Sequence, residues 1–211
     1  VNGTEKKEDI VAIKEFPTYA LANFDDAWKV YGYDFDCWYE DGAEAVTPLE
    51  AGNHTLEAYL TKHPFTVAAI MFDNGEKKNS VRNTTTKDFG DTIDYDAIKA
   101  WAQKYAEETY PDAYAYEIVV KTAGGKTTGL PATYGDADCT WTNDTIYLRV
   151  ELTTKFEVTY YADGANIATD IVTVAEFPEY KLHDEVSKTG YTFNGWADST
   201  GAIKTAPLAA Q

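Results

Sequence analysis

The feature that most constrains the fold of this chain is an internal repeat. Residues 9–19 read DIVAIKEFPTY and residues 170–180 read DIVTVAEFPEY, so seven of eleven positions are identical at a separation of 161 residues. A second match, at a separation of 158 residues, aligns GYDFDCW at 32–38 with GYTFNGW at 190–196. Two matches in the same order indicate an array of small modules, and such arrays typically extend, display or bind rather than catalyse.

The composition fits small modules with aromatic cores. The 211 residues include 16 Tyr, 9 Phe and 5 Trp but a single Met, and small units depend on large rings because they bury little core. A net charge of −17 repels nucleic-acid phosphates and anionic membranes, so we expect neither as a partner. No apolar stretch is long enough to insert into a bilayer and no signal peptide is recognisable, so we expect targeting and surface attachment to lie in regions outside this chain.

We divide the chain into a first module at 1–62, a middle module at 63–155 and a last module at 156–211. In the first module, residue alternation predicts strands at 9–13, 33–38 and 55–60, and the spacing of Leu21, Phe24 and Trp28 predicts a short amphipathic helix.

The middle module contains the strongest helix pattern. Residues 94–109 place Ile98, Trp101, Ala102 and Tyr105 on one face, and Pro111 follows the helix. Strands are predicted at 65–72, 81–86, 116–122 and 145–152. In the last module we predict strands at 156–161, 171–174 and 191–196, with a short helix at 182–188.

The order strand, strand, helix, strand, strand predicts an α+β fold. Its arrangement is expected to be tandem small β-grasp (ubiquitin-like) modules, each a mixed sheet with one crossing helix. Alignment of the repeats predicts that the first module lacks its opening strand and the last its closing strand. Open sheet edges recruit partners, so we expect possible strand exchange between neighbouring chains at these ends.

The segment KTGYTFNGW at 188–196 resembles the signature of the Listeria–Bacteroides repeat, the B-repeat of internalins. The first module resembles it through GYDFDCW at 32–38 and TLEAY at 55–59, but has Cys37 where the last module has Gly195. The middle module is placed with them by its element order and closing strand alone. The resemblance covers roughly half of the chain. It implies β-grasp repeats of an extracellular bacterial surface protein, acting as stalk or adhesive modules with no catalytic residues.

The tryptophans divide into core and surface candidates. Trp38 and Trp196 occupy the same repeat position, and Trp101 and Trp28 lie on predicted apolar faces, so we expect all four to be core residues. Trp141 lies in the polar stretch DCTWTN at 138–143 without a repeat counterpart. Exposed aromatic rings stack on sugars and anchor protein interfaces, so Trp141 is the predicted binding residue.

No catalytic, metal or cofactor constellation is recognisable. His54, His63 and His183 are scattered and are expected to be satisfied surface or loop histidines. Asp136 and Asp138 supply only two carboxylates of the roughly six oxygens that calcium needs, and no cofactor is expected. Cys37 and Cys139 are expected to be free thiols, because they lie in different modules.

Two functional hypotheses follow from these observations. The first is a non-catalytic segment of a bacterial cell-surface protein that serves as a spacer or adhesive module, with an unidentified host or bacterial surface protein or glycan as partner. The alternative is a carbohydrate-binding region attached to a glycan-degrading system. The repeat and the missing catalytic constellation motivate the first, and the aromatic content with Trp141 motivates the second.

Overall fold

The computed structural model describes residues 7–136, 143–206 and 208 and has an α+β architecture. The strands are β1 (Tyr33–Glu40), β2 (Ala43–Glu44), β3 (Glu57–Lys62), β4 (Pro64–Asp73), β5 (Glu76–Asp88), β6 (Ala115–Thr122), β7 (Thr145–Ala162) and β8 (Ala165–Thr173). One α-helix, α1 (Tyr95–Thr109), and 3₁₀ helices at Ile13–Thr18, Asp26–Trp28 and Phe177–Glu179 complete the described elements. The predicted α+β class is therefore confirmed.

The strands form two sheets. One has the order β2-β1-β3, and the other has the order β5-β4-β7-β6 with β8 paired to the later part of β7. The contacts separate the chain into two compact units, one of residues 1–67, 85–93 and 131–146, the other of 68–84, 94–130 and 147–211. These limits differ from our division at 62/63 and 155/156. That division follows the sequence repeat and stays a prediction.

The larger sheet has a parallel pair at its centre. The Thr66 amide donates to the Asp144 carbonyl at 2.9 Å, and the Asn74 amide donates to the Leu152 carbonyl at 2.8 Å. Both bonds join residues 78 positions apart, so β4 and the first half of β7 run in the same direction. β6 pairs antiparallel with β7, which makes the sheet mixed.

The helix α1 forms as its sequence pattern predicts. The Asp94 carboxylate caps it by accepting from the Ala97 amide at 2.8 Å. Ile98, Ala102 and Ala106 are buried along one stripe, and the helix packs against β6. The stripe is confirmed, although Trp101 at its border is half-buried rather than a full core residue.

The two strands predicted at 145–152 and 156–161 are one continuous strand. β7 has 18 residues and pairs first with β6 and then with β8. The sequence between the predicted strands is Thr-Thr-Lys, which has no turn residue. Thr154 is fully buried and its amide donates to Asn74 Oδ1 at 2.8 Å, so the backbone stays extended there.

The strand predicted at 9–13 and the helix predicted around Leu21, Phe24 and Trp28 are wrong. The chain instead forms the 3₁₀ helices Ile13–Thr18, which contains Pro17, and Asp26–Trp28, which Asp25 caps through the Ala27 amide. The Asp25 cap is followed by a single turn, which ends when the Lys29 amide donates to the Asp26 carbonyl. No described strand lies beside residues 7–12, so they are not held in a ladder.

The helix predicted at 182–188 and the strand predicted at 191–196 are also wrong, because both segments are irregular. Only Leu182 and Val186 of the former are partly buried. A stretch of seven residues forms too few helical hydrogen bonds to offset the cost of helix nucleation. The remaining predicted strands correspond to β1, β3, β4, β5, β6 and β8, with ends that differ by a few residues.

Candidate functional site

In the last module, the first repeated sequence at residues 170–180 folds back on itself through side-chain hydrogen bonds, and we call this arrangement the clasp. The Tyr180 hydroxyl donates to Asp170 Oδ2 at 2.6 Å, and Glu176 Oε2 accepts from the Thr173 amide at 2.8 Å. Phe177, between these two pairs, is buried against Phe156 and Val172. The clasp therefore fastens the chain after β8 onto the sheet.

The same clasp forms in the first module. The Tyr19 hydroxyl donates to Asp9 Oδ2 at 2.8 Å, and Glu15 Oε2 accepts from the Ala12 amide at 3.0 Å. The Asp, Glu and Tyr that are identical in the two sequences thus make the same hydrogen bonds. The repeat is a structural device, since its shared polar residues bond to one another and to backbone.

The second repeated sequence also keeps its contacts. The indole N–H of Trp38 donates to the Ala22 carbonyl at 2.7 Å, and that of Trp196 donates to the His183 carbonyl at 2.9 Å. Ala22 and His183 are themselves 161 positions apart, like the clasps. Gly32 and Gly190 both have φ of +84°, a turn conformation that glycine adopts without strain. The two indole rings are therefore held by the same kind of hydrogen bond, from the indole N–H to a backbone carbonyl at an equivalent repeat position.

The tryptophans expected in the core are half-buried. Trp28 and Trp38 lie in a ring cluster with Phe24 and Phe35 in the first module. Trp196 lies edge-on to Phe193 at 5.3 Å and to Tyr160 at 4.7 Å between ring centroids. Small modules expose part of each large ring because they have too little chain to cover it.

A groove lies beside Trp196 in the last module. Its walls include Val158, Tyr160 and Ala162 of β7 on one side and Phe193, Trp196 and Ala197 on the other, and it has a volume of about 440 Å³. We call it the last-module groove. Its walls are mostly apolar, so it suits an apolar or amphipathic occupant rather than a charged substrate.

A polar network closes one end of the clasp beside this groove. The Tyr180 hydroxyl contacts the Tyr160 hydroxyl at 2.7 Å, and His183 Nε2 lies 2.9 Å from Asp170 Oδ2. The Tyr180 hydroxyl and then His183 hold the pKa of Asp170 below its usual value. Burial, followed by the bond to Asp170, raises the pKa of Tyr180. The network keeps Asp170 ionised and Tyr180 protonated, which suits a fixed contact rather than proton transfer.

In the middle module, tyrosine hydroxyls also donate to a carboxylate, Asp73, which is buried. It is 5% exposed and accepts from the Tyr105 and Tyr110 hydroxyls at 3.0 Å and from Asn74 Nδ2 at 2.8 Å. These donors lie at the C-terminal end of α1 and in the β4–β5 turn. The carboxylate is fully hydrogen-bonded, so it fastens helix to hairpin and is not free for chemistry.

The three histidines each contact a carboxylate: His54 with Glu40, His63 with Asp34 and His183 with Asp170, at 2.8–2.9 Å. Over the described ranges, no group of three or more His, Cys, Asp or Glu residues is placed to hold a metal ion. None of the described helices is long and apolar enough to cross a membrane.

The structure describes some of the predicted residues and leaves out others. Trp141 and Cys139 lie outside the described residues, and so does Asp138, while Asp136 Oδ2 accepts from the Ala132 amide at 3.2 Å. Cys37 is a free thiol, and partial burial, followed by Asp36 and Glu44, raises its pKa. The binding role predicted for Trp141 stays a prediction.

Sequence reasoning missed the polar contacts of the clasp and the last-module groove. The signal for the clasp was present, because Asp and Tyr recur at both ends of the repeated eleven residues. The groove has no such signal, because it depends on how β7 passes the irregular segment 191–197.

Comparison with known proteins gives a family match for the C-terminal part of the chain. Residues 156–207 match the family model of the Listeria-Bacteroides repeat domain, about a quarter of the chain. No curated protein matches the chain. Repeats of this family are generally non-catalytic and typical of extracellular bacterial surface proteins, so the match suggests a surface-protein repeat segment.

Proposed function

We propose that this chain is a non-catalytic spacer segment of a bacterial cell-surface protein, built from tandem β-grasp modules that transmit tension between a surface anchor and a distal domain. Attachment to the cell surface would come from regions outside this chain. The family match at 156–207 supports the repeat character. The observation that carries the spacer role is the parallel pair of β4 and β7.

In the middle module the strand order is β5-β4-β7-β6 with a parallel central pair, and α1 lies in the chain between the β4–β5 pair and the β6–β7 pair. This order supports a β-grasp arrangement. Only His63 separates β3 from β4, and β7 passes the 155/156 boundary without interruption. Successive modules are therefore joined by strand rather than by a flexible linker.

The direction of the strands determines how the middle module responds to tension. The chain enters through the start of β4 and leaves through the later part of β7. Because the two strands run parallel, a pull on the chain draws them past each other along their length. The load then falls on all the hydrogen bonds of the pair together rather than on one bond at a time. Such shear loading is the arrangement that a tension-bearing spacer requires.

Single-molecule force measurements test this proposal. In a Cys37→Ser, Cys139→Ser background, handles at Lys62→Cys and Lys155→Cys load the parallel pair in shear. Handles at Ala123→Cys and Tyr147→Cys instead open the antiparallel β6–β7 pair from one end. We expect the shear geometry to resist a several-fold higher force. Equal forces in the two geometries would contradict the proposed role.

The carbohydrate-binding alternative has one structural observation in its favour. Tyr39 and Tyr59 stack at 4.8 Å between ring centroids, and Tyr59 is 46% exposed, so an aromatic face is open to a sugar ring. A glycan array with the unchanged chain, Tyr59→Ala and Trp141→Ala tests it. Absence of binding at millimolar glycan would remove this alternative, and loss in one variant alone would identify the residue responsible.

A further inference from the structure

The sheet of the first module has one face packed on aromatic rings and another face that is exposed. Trp38 of β1 lies opposite Ala58 of β3, and the Trp38 ring belongs to the ring cluster of this module. Side chains alternate along a strand, and Tyr59 lies opposite Cys37, so Cys37, Tyr39 and Tyr59 lie on the other face. We call this second face the tyrosine face.

Carboxylates surround the tyrosines on this face. Tyr39 lies opposite Glu44 on β2 and opposite Glu57 on β3, and directly opposed residues place their side chains on the same face of a sheet. Asp36 lies between them along β1, at the point where the pairing register shifts. Partial burial raises the pKa of Tyr39, and the nearby Glu44 and Asp36 carboxylates raise it further. The rings therefore lie among negative groups.

The three carboxylates have no cationic partner within the described part of the chain. Asp36, Glu44 and Glu57 are exposed, and they form no ion pair or side-chain hydrogen bond with another described residue. The three strands contain a single Lys or Arg, Lys62, which alternates onto the opposite face and pairs with Asp91 at 3.9 Å. The charge on the tyrosine face is therefore left for a ligand or solvent to balance.

The tyrosine pair supplies an aromatic surface between these carboxylates. The two rings stack at 4.8 Å between centroids with an interplanar angle of 21°, so each ring covers one side of the other and leaves its second side free. Tyr59 is 46% exposed. An aromatic ring face attracts cations, and a guanidinium can stack on it while its N–H groups donate to neighbouring carboxylates. Rings and uncompensated charge together favour a cationic ligand over a neutral sugar.

We propose that the tyrosine face binds arginine side chains of a basic, extended polypeptide. Glu44 and Glu57 lie on strands either side of β1, so their backbones are about 10 Å apart, more than one guanidinium spans. Two or more cationic side chains are therefore needed, and a polypeptide supplies them on one chain. The net charge of −17 attracts such a partner and repels an acidic one. This inference does not depend on the spacer function, because it concerns the sheet β2-β1-β3 alone.

Titration calorimetry with a synthetic peptide tests the proposal. The probe is a capped peptide of alternating arginine and threonine, added to the full chain. The control is the same peptide with citrulline, which keeps the shape of arginine and lacks its charge. We expect the arginine peptide to bind at least tenfold more tightly, and the amide resonances of β1 and β3 to shift as it binds. Raising the salt concentration from about 0.05 M to about 0.5 M should weaken binding several-fold, because exposed charges are screened.

Charge variants of the chain locate the binding. The double variant Glu44→Gln, Glu57→Gln removes two charges and keeps the side-chain shape, so it should weaken binding of the arginine peptide at least tenfold. The double variant Glu107→Gln, Glu108→Gln removes the same charge from α1 and should weaken binding less than twofold. These glutamine variants keep the test valid even if a ring variant perturbs folding.

Ring variants test the aromatic contribution. Tyr59→Ala should weaken binding of the arginine peptide at least tenfold. Tyr114→Ala is the matched control, since Tyr114 is 61% exposed and lies outside the tyrosine face, and it should leave binding unchanged.

Absence of binding at millimolar arginine peptide would overturn the proposal, and so would equal binding of the citrulline peptide or equal weakening by the α1 variant. A neutral glycan that binds the unchanged chain and is lost in Tyr59→Ala, without binding of the arginine peptide, would assign this face to sugars instead. The force measurement on β4 and β7 does not involve the tyrosine face. Failure of one proposal is therefore distinguishable from failure of the other.

Discussion

Residues 33–38 and 191–196 carry the same Tyr-x-Phe-x-x-Trp pattern, yet only the former is a strand. Both keep the tryptophan hydrogen bond, the preceding glycine turn and the bridge to a short hairpin arm. They differ in a neighbouring strand, because β3 pairs with 33–39 and no described strand pairs with 191–196, and in Gly195, whose φ is +118° where the first module has Cys37 in a strand. The pattern positions the rings, and a neighbouring strand is needed to make the ladder.

The other repeated sequence shows the reverse difference. Residues 170–173 belong to β8 because β7 runs beside them, whereas residues 9–12 are not in a strand. Even so, the Asp–Tyr and Glu–amide bonds of the clasp form in both places. Local side-chain bonds therefore survive without the sheet. The two modules show that the clasp is encoded locally and the strand is encoded by its partner.

The largest expected difference concerns the phenylalanine of the clasp. Phe177 is 6% exposed and packs on Phe156, whereas Phe16 is only partly buried and has His54 as its ring neighbour at 6.0 Å. Phe177→Ala should lower the free energy of unfolding by about 3–5 kcal/mol. Phe16→Ala should lower it by roughly 1 kcal/mol, because less area is uncovered. Urea denaturation, followed by amide hydrogen exchange in each segment, measures both losses of stability. Equal losses for the two variants would show that the two clasps are packed alike.

The tryptophan pair should show a smaller difference in the opposite direction. Among the described residues, Trp38 contacts the rings of Phe24, Trp28 and Phe35, whereas Trp196 contacts those of Tyr160 and Phe193. Trp38→Ala should therefore cost roughly 1 kcal/mol more than Trp196→Ala, the contribution of one aromatic pair. The matched Trp→Phe variants retain a ring and lose the indole hydrogen bond. If the Phe variants lose as much free energy of unfolding as the Ala variants, the indole hydrogen bond contributes more to stability than the ring cluster does.

The clasp tyrosines test the contribution of the polar network. Tyr180→Phe removes the bond to Asp170 and the contact with the Tyr160 hydroxyl, so we expect a loss of about 1.5 kcal/mol. Tyr19→Phe removes a single bond to Asp9 at the surface, and the loss should be about 0.5 kcal/mol. Thermal denaturation of both variants beside Tyr161→Phe, an exposed tyrosine outside the clasp, measures the difference. A loss for Tyr19→Phe as large as that for Tyr180→Phe would contradict it.

Much of the fold follows from the sequence where local signals and burial agree. The helix α1 has a cap, an apolar stripe and a terminating proline, and β4 is a nearly continuous apolar run before an Asp-Asn-Gly turn. The errors fall where local signals are weak. Leu21, Phe24 and Trp28 have helical spacing, but capping at Asp25 and the packing of the rings on one another fix a single 3₁₀ turn instead.

The site could be predicted only in part. The repeat located the clasps, but their hydrogen bonds needed the fold to bring Asp170 within reach of Tyr180 and His183. The continuity of β7 was not predicted from the sequence. Its two halves pair with different strands, β6 and β8, and each half has the length of an ordinary strand. A groove between a strand and an irregular segment has no periodicity to read.

The smallest expected effect is a pH dependence confined to one module. Glu40 and Asp198 occupy equivalent positions, but Glu40 binds His54 whereas Asp198 binds Lys204 and Thr200. His54 Nδ1 lies 2.9 Å from Glu40, and Nε2 lies 2.7 Å from the Glu50 carbonyl, so both nitrogens donate only when the ring is protonated. The bond to Glu40, then that to the Glu50 carbonyl, raises the pKa of His54 above 6.5. Its stabilising contribution is therefore complete below pH 6.5 and is lost as the pH rises through the raised value. Lys204 and Thr200 lower the pKa of Asp198 below 3.8, so its contribution is constant across neutral pH.

Between pH 6 and pH 9, amide hydrogen exchange corrected for its intrinsic rate should become faster around Glu40 and Thr55 but not around Asp198. His54→Gln should abolish the change, while His183→Gln, the matched control, should retain it. A pH response that survives His54→Gln would assign the dependence to another group.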